Sequence, residues 1–348
     1  MLRISDQGEL VAAIPAMLGF HPRESLVLMA TGGRSGRRIG LTLRIDLPPP
    51  DHPEYAEHTE LIAGSVTRGV LLDEPAGAIC VVVSGASAPP GRPPGELPHR
   101  PLAARVGREL EQHAVPVLAS IWAERTAGGA RWACYQPCGC AGTMPDPAAT
   151  TFVATVVADG RVVHADRAEL VASVAPADSA RIRRREEQLI RATEGEIGDG
   201  GPVVLDAPAG IEALDAAIAD AADGRLTLPD ARVLALVTAL GIDEVRACAL
   251  RRCAGPHAAA AEQLWAALAR ETPDPESAGP AALLAMSALL RGDGALANVA
   301  LDRAEQAWPG HAFAALVRRA AGAGLRPSQI RATLLGEKPL GDADRDAR

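Results

Sequence analysis

Aromatic residues are scarce in this chain, making up 3% of its 348 residues against 48% for hydrophobic residues as a whole. Alanine, valine and leucine must therefore fill the interior, and side chains that small favour closely packed helices. Lysine is scarcer still, Lys338 being its only occurrence, so nearly all positive charge is arginine. Acidic residues outnumber basic ones, 43 against 35, for a net charge of -8. That balance argues against a protein that blankets phosphates, because nonspecific nucleic-acid affinity comes from clustered positive charge. No apolar run approaches the roughly 20 residues that cross a bilayer, and the N-terminus lacks the basic and apolar regions of a signal peptide. No membrane association is expected, and the cytoplasm is the expected location. Six cysteines are too few for a disulfide scaffold, and a reducing compartment would keep them as thiols or metal ligands. A phosphate loop, a dinucleotide fingerprint and a metalloprotease helix are missing too, so no cofactor is expected.

What is present divides into two parts, as the length of 348 residues leads one to expect. Apolar residues at Leu10, Ile14, Met17 and Leu18 recur as on an amphipathic helix over 6–20 that Gly19 ends. Strands are expected over 25–30 and 38–47, joined as a hairpin, with Ile39, Leu41, Leu43 and Ile45 on one face of the second. A helix over 55–72 leads to the wholly apolar run 78–83, suited to a central strand covered on both faces. A Pro-rich excursion over 89–98, a helix over 101–113 and a second hairpin from 117–124 and 130–136 follow, with helices over 148–158 and 167–174. The result is an α/β fold with a mixed sheet of about five strands, over 1–176. A charged helix over 179–196 and the glycines Gly198, Gly200 and Gly201 mark a helix-and-linker segment over 177–209. The rest, 210–335, reads as seven helices, and 336–348 as a disordered tail.

Within the helical part, Ala261, Trp265, Leu268 and Pro273 recur as Ala297, Leu301, Ala304 and Pro309, thirty-six residues on. That spacing is close to the tetratricopeptide period, and Gly292-Asp293 stands at the turn between the two helices of the second copy. The region resembles a degenerate tetratricopeptide stack, an all-α fold whose surface serves to bind proteins.

A second resemblance spans nearly the whole chain. Leu18-Gly19-Phe20-His21-Pro22, Ser25-Leu26-Val27, Arg44-Ile45-Asp46-Leu47-Pro48, Arg131-Trp132 with Tyr135, Leu264-Trp265 and Gly292-Asp293-Gly294 carry it. Together they resemble an actinobacterial family catalogued as domain of unknown function 4192. This resemblance implies no activity. After Tyr135 the family pattern implies a cysteine-rich turn leading into Pro-Glu-Gly, where this chain has Cys138-Gly139-Cys140-Ala141-Gly142-Thr143-Met144-Pro145.

Candidate chemistry is confined to a few residues. His21 and Ser25 bracket the first strand and would make a base and nucleophile if Asp46 oriented the imidazole, though no nucleophile elbow accompanies them. Capping and loop roles are the competing expectation. Arg44 and Asp46 share one strand face, where a guanidinium could hold a carboxylate or phosphate or simply pair with its neighbour. Arg131, Trp132 and Tyr135 could wall a pocket or pack a hairpin. No catalytic residue can be assigned. Cys134, Cys138 and Cys140 supply three thiols, one short of a closed zinc site unless His164 or Cys80 folds near, so buried packing thiols and no stoichiometric zinc are expected. Cys248 and Cys253 read as packing residues. Arg181, Arg183, Arg184 and Arg185 form a basic cluster that Glu186 and Glu187 are expected to neutralise. The leading expectation is a module with a protein partner, acting through the helical surface. A small-molecule ligand or a hydrolase-like site at the strand ends is the alternative, with nucleic acid disfavoured.

Overall fold

The computed structural model of the chain describes residues 7–33, 38–49, 52–86, 97–150, 162–193, 206–323, 325 and 327–336. Two compact units emerge, Met1–Glu169 and Leu170–Arg348. The glycines at 198, 200 and 201, nearly all of the Pro-rich excursion and the tail after Gly336 lie outside the described residues.

The first unit runs α1 (Gln7–Leu18), β1 (Ser25–Gly32), β2 (Arg38–Asp46), α2 (Tyr55–Leu71), β3 (Gly77–Val83), α3 (Arg100–Gln112), β4 (Val117–Ala123), β5 (Arg131–Cys134) and β6 (Ala141–Thr143). Its mixed sheet has the order β2-β1-β3-β4-β5-β6. Only β3 and β4 are parallel, joined through α3; the other pairs are antiparallel. The sixth strand exceeds the expected five: Ala-Gly-Thr is too short for a period-2 signal, and its pairing with β5 makes it a strand. A 3-10 turn, Pro147–Ala149, stands where a longer helix over 148–158 is expected, and 151–161 lie outside the described residues.

Apolar runs decide the layering. One sheet face carries Leu26, Leu28, Ala30, Cys80, Val82, Trp122 and Tyr135, packed under Ala63, Val66 and Val70 of α2 and Leu102, Val106 and Leu110 of α3. Each large side chain so buried contributes about 1.5–3 kcal/mol. Val27, Met29, Val81, Val83, Ile121 and Ala123 on the opposite face are equally buried, so the central strands are covered on both sides, as their continuous hydrophobicity requires. α1 is buried almost all round, with Val11, Ala12, Ala13 and Ala16 inside as well as Leu10 and Ile14. It is a core helix instead of the amphipathic one its spacing suggests.

In β2 the expected alternation fails at one point. Met29 faces Thr42 and Thr31 faces Ile39, so Gly40 and Leu41 form a bulge opposite Ala30. There the Leu41 N–H donates to the Asp73 carboxylate at 2.9 Å. A Cβ on Gly40 would lie 2.1 Å from the same oxygen, so the position is closed to other residues unless Asp73 moves.

After α4 (Arg167–Ala172), the second unit comprises α5 (Ser179–Thr193), α6 (Ala207–Ala222), α7 (Asp230–Leu240), α8 (Asp243–Ala254), α9 (Ala258–Glu271), α10 (Ala278–Arg291), α11 (Gly294–Ala307), α12 (Ala312–Gly322) and α13 (Pro327–Leu335). α13 goes beyond the expected set. α10 is central: it packs against α8, α9, α11, α12 and α13. Eleven of its residues are buried. α9 and α11 begin and end thirty-six residues apart, and Ala261, Trp265, Leu268, Ala297, Leu301 and Ala304 are all buried. Gly292, at φ 81, stops α10, and the Asp293 carboxylate caps α11 through Leu296 N–H.

α5, the expected charged helix, packs within this unit. Arg185 is 1% exposed; its Nε donates to Asp230 at 2.8 Å, Nη1 to the Glu271 side chain at 2.5 Å and Nη2 to the Leu228 carbonyl at 2.9 Å. Arg184 also meets Asp230, at 2.6 Å, and Arg181 meets Glu271, at 3.3 Å. Three of the four arginines of the basic cluster thus pair with Asp230 of α7 and Glu271 of α9, and not with Glu186 and Glu187 as expected.

Candidate functional site

Strand register brings Ser25 of β1, Asp46 of β2, Val83 of β3 and Ala123 of β4 to one end of the sheet. The polypeptide leaves β2 and β3 there to enter α2 and α3, so both helix N-termini face that end. Ser25 is fully buried; its hydroxyl donates to the Arg23 carbonyl at 2.7 Å and accepts from Arg44 Nε at 2.8 Å. The Arg44 guanidinium also holds Asp46 at 2.5 Å and lies over the Phe20 ring. His21 turns elsewhere: its ring Nδ1 is 2.8 Å from the Thr126 carbonyl and its backbone N–H donates to His164 O. A carbonyl only accepts, so Nδ1 carries the proton. His21, Ser25 and Asp46 therefore share no hydrogen bond, and the triad geometry is not formed.

The remaining predicted residues divide between the two faces. Arg131 reaches Glu124 at 3.5 Å. Trp132 lies so close to Gly142 of β6 that a Cβ there would be 3.1 Å from the indole nitrogen. Tyr135 is buried with the α2 and α3 side chains, its hydroxyl donating to the Pro98 carbonyl, the Arg100 guanidinium over its ring. Since Arg44 pairs in register with Val27, and Tyr135 belongs with Leu26 and Leu28, Arg44 and Tyr135 lie on opposite sides of the sheet. The structure brings Ser25, Arg44 and Asp46 together and does not bring His21, Arg44 and Tyr135 into one cleft.

Sequence patterns miss the more unusual group at this end. Glu24 has φ 39 and His99 has φ 55, both in the left-handed region that costs a residue with a side chain. The Glu24 carboxylate accepts from Ser84 Oγ and from Gly85 N–H, each at 2.7 Å. His99, 4% exposed, sits at the α3 N-terminus with Nδ1 2.6 Å from the Tyr55 hydroxyl of α2. Its Nε2 is buried without a hydrogen-bond partner among the described residues. Burial holds the His99 pKa below the ordinary histidine value while the Glu24 charge acts the other way. Burial also pushes the Tyr55 phenol up to about 12. No motif flags these residues, because the strain and the missing partner exist only in three dimensions.

Two further clusters gather metal-ligating atoms. Cys134, Cys138 and Cys140 hold their sulfurs within 4.8 Å of one another. Cys134 is buried and donates to Gln7 Oε1, but Cys138 and Cys140 are exposed, contrary to the expected packing role. Hydrogen bonds from the Cys140 thiol and backbone lower the Cys138 pKa. The suggested fourth ligands lie elsewhere: Cys80 is buried under α2 and α3, and the His164 backbone bridges Phe20. His52, Glu54 and His58 likewise hold ligand atoms within 4.8 Å. Cys248 and Cys253 are buried packing residues.

Among the described residues no helix is long and apolar enough to cross a membrane. No curated protein and no solved structure matches the chain. A family model described as Domain of unknown function (DUF4192) matches residues 8–328. With the match running from α1 to the start of α13, the chain belongs to that family.

Proposed function

We propose that the chain is a cytoplasmic, actinobacterial protein-interaction module whose tetratricopeptide-like helical unit docks an apolar segment of a protein partner. Support comes first from an open groove of about 370 Å³ between α6 and the α8–α9 turn. Ile218, Ala219, Ala222 and Pro256 give it an apolar floor, and Asp215 with Arg252 a charged rim. The two rim side chains bond each other twice, at 2.7 and 2.8 Å. Apolar grooves between helices are a recurring way to seat an amphipathic segment. The register of α9 and α11 is a second support, since stacked helix pairs leave such surfaces free of core duty.

A photo-crosslinking residue in place of the exposed Ala222 tests this in cells. One defined partner adduct, abolished by Ala219→Arg, is expected; no adduct, or adducts unchanged by that substitution, would overturn the proposal.

A second function is favoured by one observation, the unpartnered Nε2 of buried His99 beside Glu24 and Tyr55. A small polar ligand at the strand ends would supply the missing partner, as strand-end crevices do in α/β sheets. Thermal-shift screening with a metabolite library tests it: a stabilising compound must lose its effect in His99→Asn.

A further inference from the structure

We propose that Cys134, Cys138 and Cys140 bind one soft metal ion, Zn²⁺ or Cu⁺, through three thiolates at the β5–β6 turn, leaving any further coordination position to solvent. The hairpin places the donors. Cys134 N–H donates to Cys140 O at 2.8 Å, which fixes those two residues across the hairpin from each other. Gly139, at φ 68, turns the chain so that Cys138 folds back over them. Three sulfurs within 4.8 Å need to close by only about 1 Å, since zinc–sulfur bonds of about 2.3 Å set tetrahedral sulfurs roughly 3.8 Å apart. Side-chain rotation at exposed Cys138 and Cys140 supplies that movement.

Donor chemistry selects the ion. Three thiolates are soft ligands, suited to Zn²⁺ and Cu⁺ and not to Mg²⁺ or Ca²⁺, which take oxygen. The Cys140 N–H, 3.5 Å from Cys138 Sγ, is placed to support a thiolate there, and Gln7 can turn its amide to donate to the Cys134 sulfur. Each thiol loses its proton as its sulfur binds, so one ion releases three protons and affinity falls with falling pH. Counting ligands along the sequence leaves the set one short of a closed site; the geometry describes an open, exchangeable one.

The test uses the reduced full-length chain under inert gas, titrated in separate arms with Zn²⁺ and with Cu⁺ against a chromogenic competitor. One ion per chain, about three protons released per ion, and affinity reduced by more than about 100-fold in C138S/C140S are expected, given that second-shell losses alone cost 10–100-fold. Whichever arm survives competition identifies the ion. H52A/H58A should bind as tightly as the parent. No binding in either arm, binding retained in C138S/C140S, or binding lost in H52A/H58A would overturn the proposal. Both substituted cysteines are exposed, and an unchanged melting temperature of the metal-free variant checks that the fold is intact.

Discussion

Replacing Arg185 with methionine is expected to destabilise the helical unit by about 3 kcal/mol. Breaking a buried ion pair by removing one partner costs about 3–5 kcal/mol, because the groups left behind stay desolvated. Here the guanidinium satisfies Asp230, the side chain and carbonyl of Glu271, and the Leu228 carbonyl. Asp230 keeps Arg184 and Glu271 keeps Arg181, so neither carboxylate is stranded and the lower end of the range applies. The two carbonyls lose this donor outright. For a unit of this size about 3 kcal/mol corresponds to a melting shift of roughly 6–12 °C. Arg184→Ala is the control: its side chain is 54% exposed, and exposed pairs contribute about 0–1 kcal/mol. Arg185→Lys should fall between them, keeping the charge but losing the planar fork. Far-ultraviolet circular dichroism gives the melting curves, and hydrogen exchange of the α9 amides assigns the loss to this unit. An Arg185→Met protein within about 1 kcal/mol of the parent, or an equal loss in Arg184→Ala, would refute the placement of Arg185 as the anchor of α5.

Four further outcomes are expected. Burial raises Tyr55 to about 12 and Tyr135 well above its usual value, and these are the chain's 2 tyrosines. Phenolate absorbance should therefore stay small at pH 11 in folded protein; because raised folded values favour the protonated form, the stability they contribute is present below about pH 10 and lost as pH climbs through about 12. Alkylation under native conditions should label Cys138 and Cys140 and spare the four buried cysteines; mass spectrometry reads the number, and labelling of Cys80 or Cys253 would contradict their burial. Gly142→Ala should cost about 1 kcal/mol, the low end of overpacking costs, seen in denaturant midpoints, because its Cβ would meet the Trp132 indole at 3.1 Å on a strand that is otherwise exposed. Asp230 is held low chiefly by its hydrogen bond from Arg184. Its stabilisation should be complete above about pH 4 and lost as pH falls through its depressed folded value; an acid midpoint unchanged by Arg184→Ala would contradict that.

Much of the fold is legible in the sequence because long apolar periods announce themselves. The run from Ala78 to Val83 predicts a doubly covered central strand, and that is β3. The helix over 230–240 is found at those bounds as α7. What escapes is set by partners distant along the chain. β6 has no pattern of its own and exists through pairing with β5. Arg185 looks like part of a solvated basic face until Asp230 and Glu271 arrive from α7 and α9. The candidate site was harder to read. Ser25, Arg44 and Asp46 are neighbours as their strand positions suggest, but side-chain direction puts Tyr135 on the other face. Glu24 and His99 stand out only through backbone conformation and an unsatisfied nitrogen.

The Asp73 carboxylate on β2 bears on how copies of this chain behave toward one another. Among the described residues β2 is an edge strand of the sheet, and an unprotected edge is a template onto which another strand can add, the first step toward aggregation. At the bulge the Leu41 N–H is already taken by the Asp73 carboxylate, so it offers no donor to an incoming backbone. Gly40 and Asp73 thereby act as a pair: a side chain at Gly40 would evict the carboxylate, and loss of the carboxylate would open the margin. Concentrated solutions of Asp73→Ala should form oligomers that the parent does not, even though the substitution touches neither the core nor any proposed site.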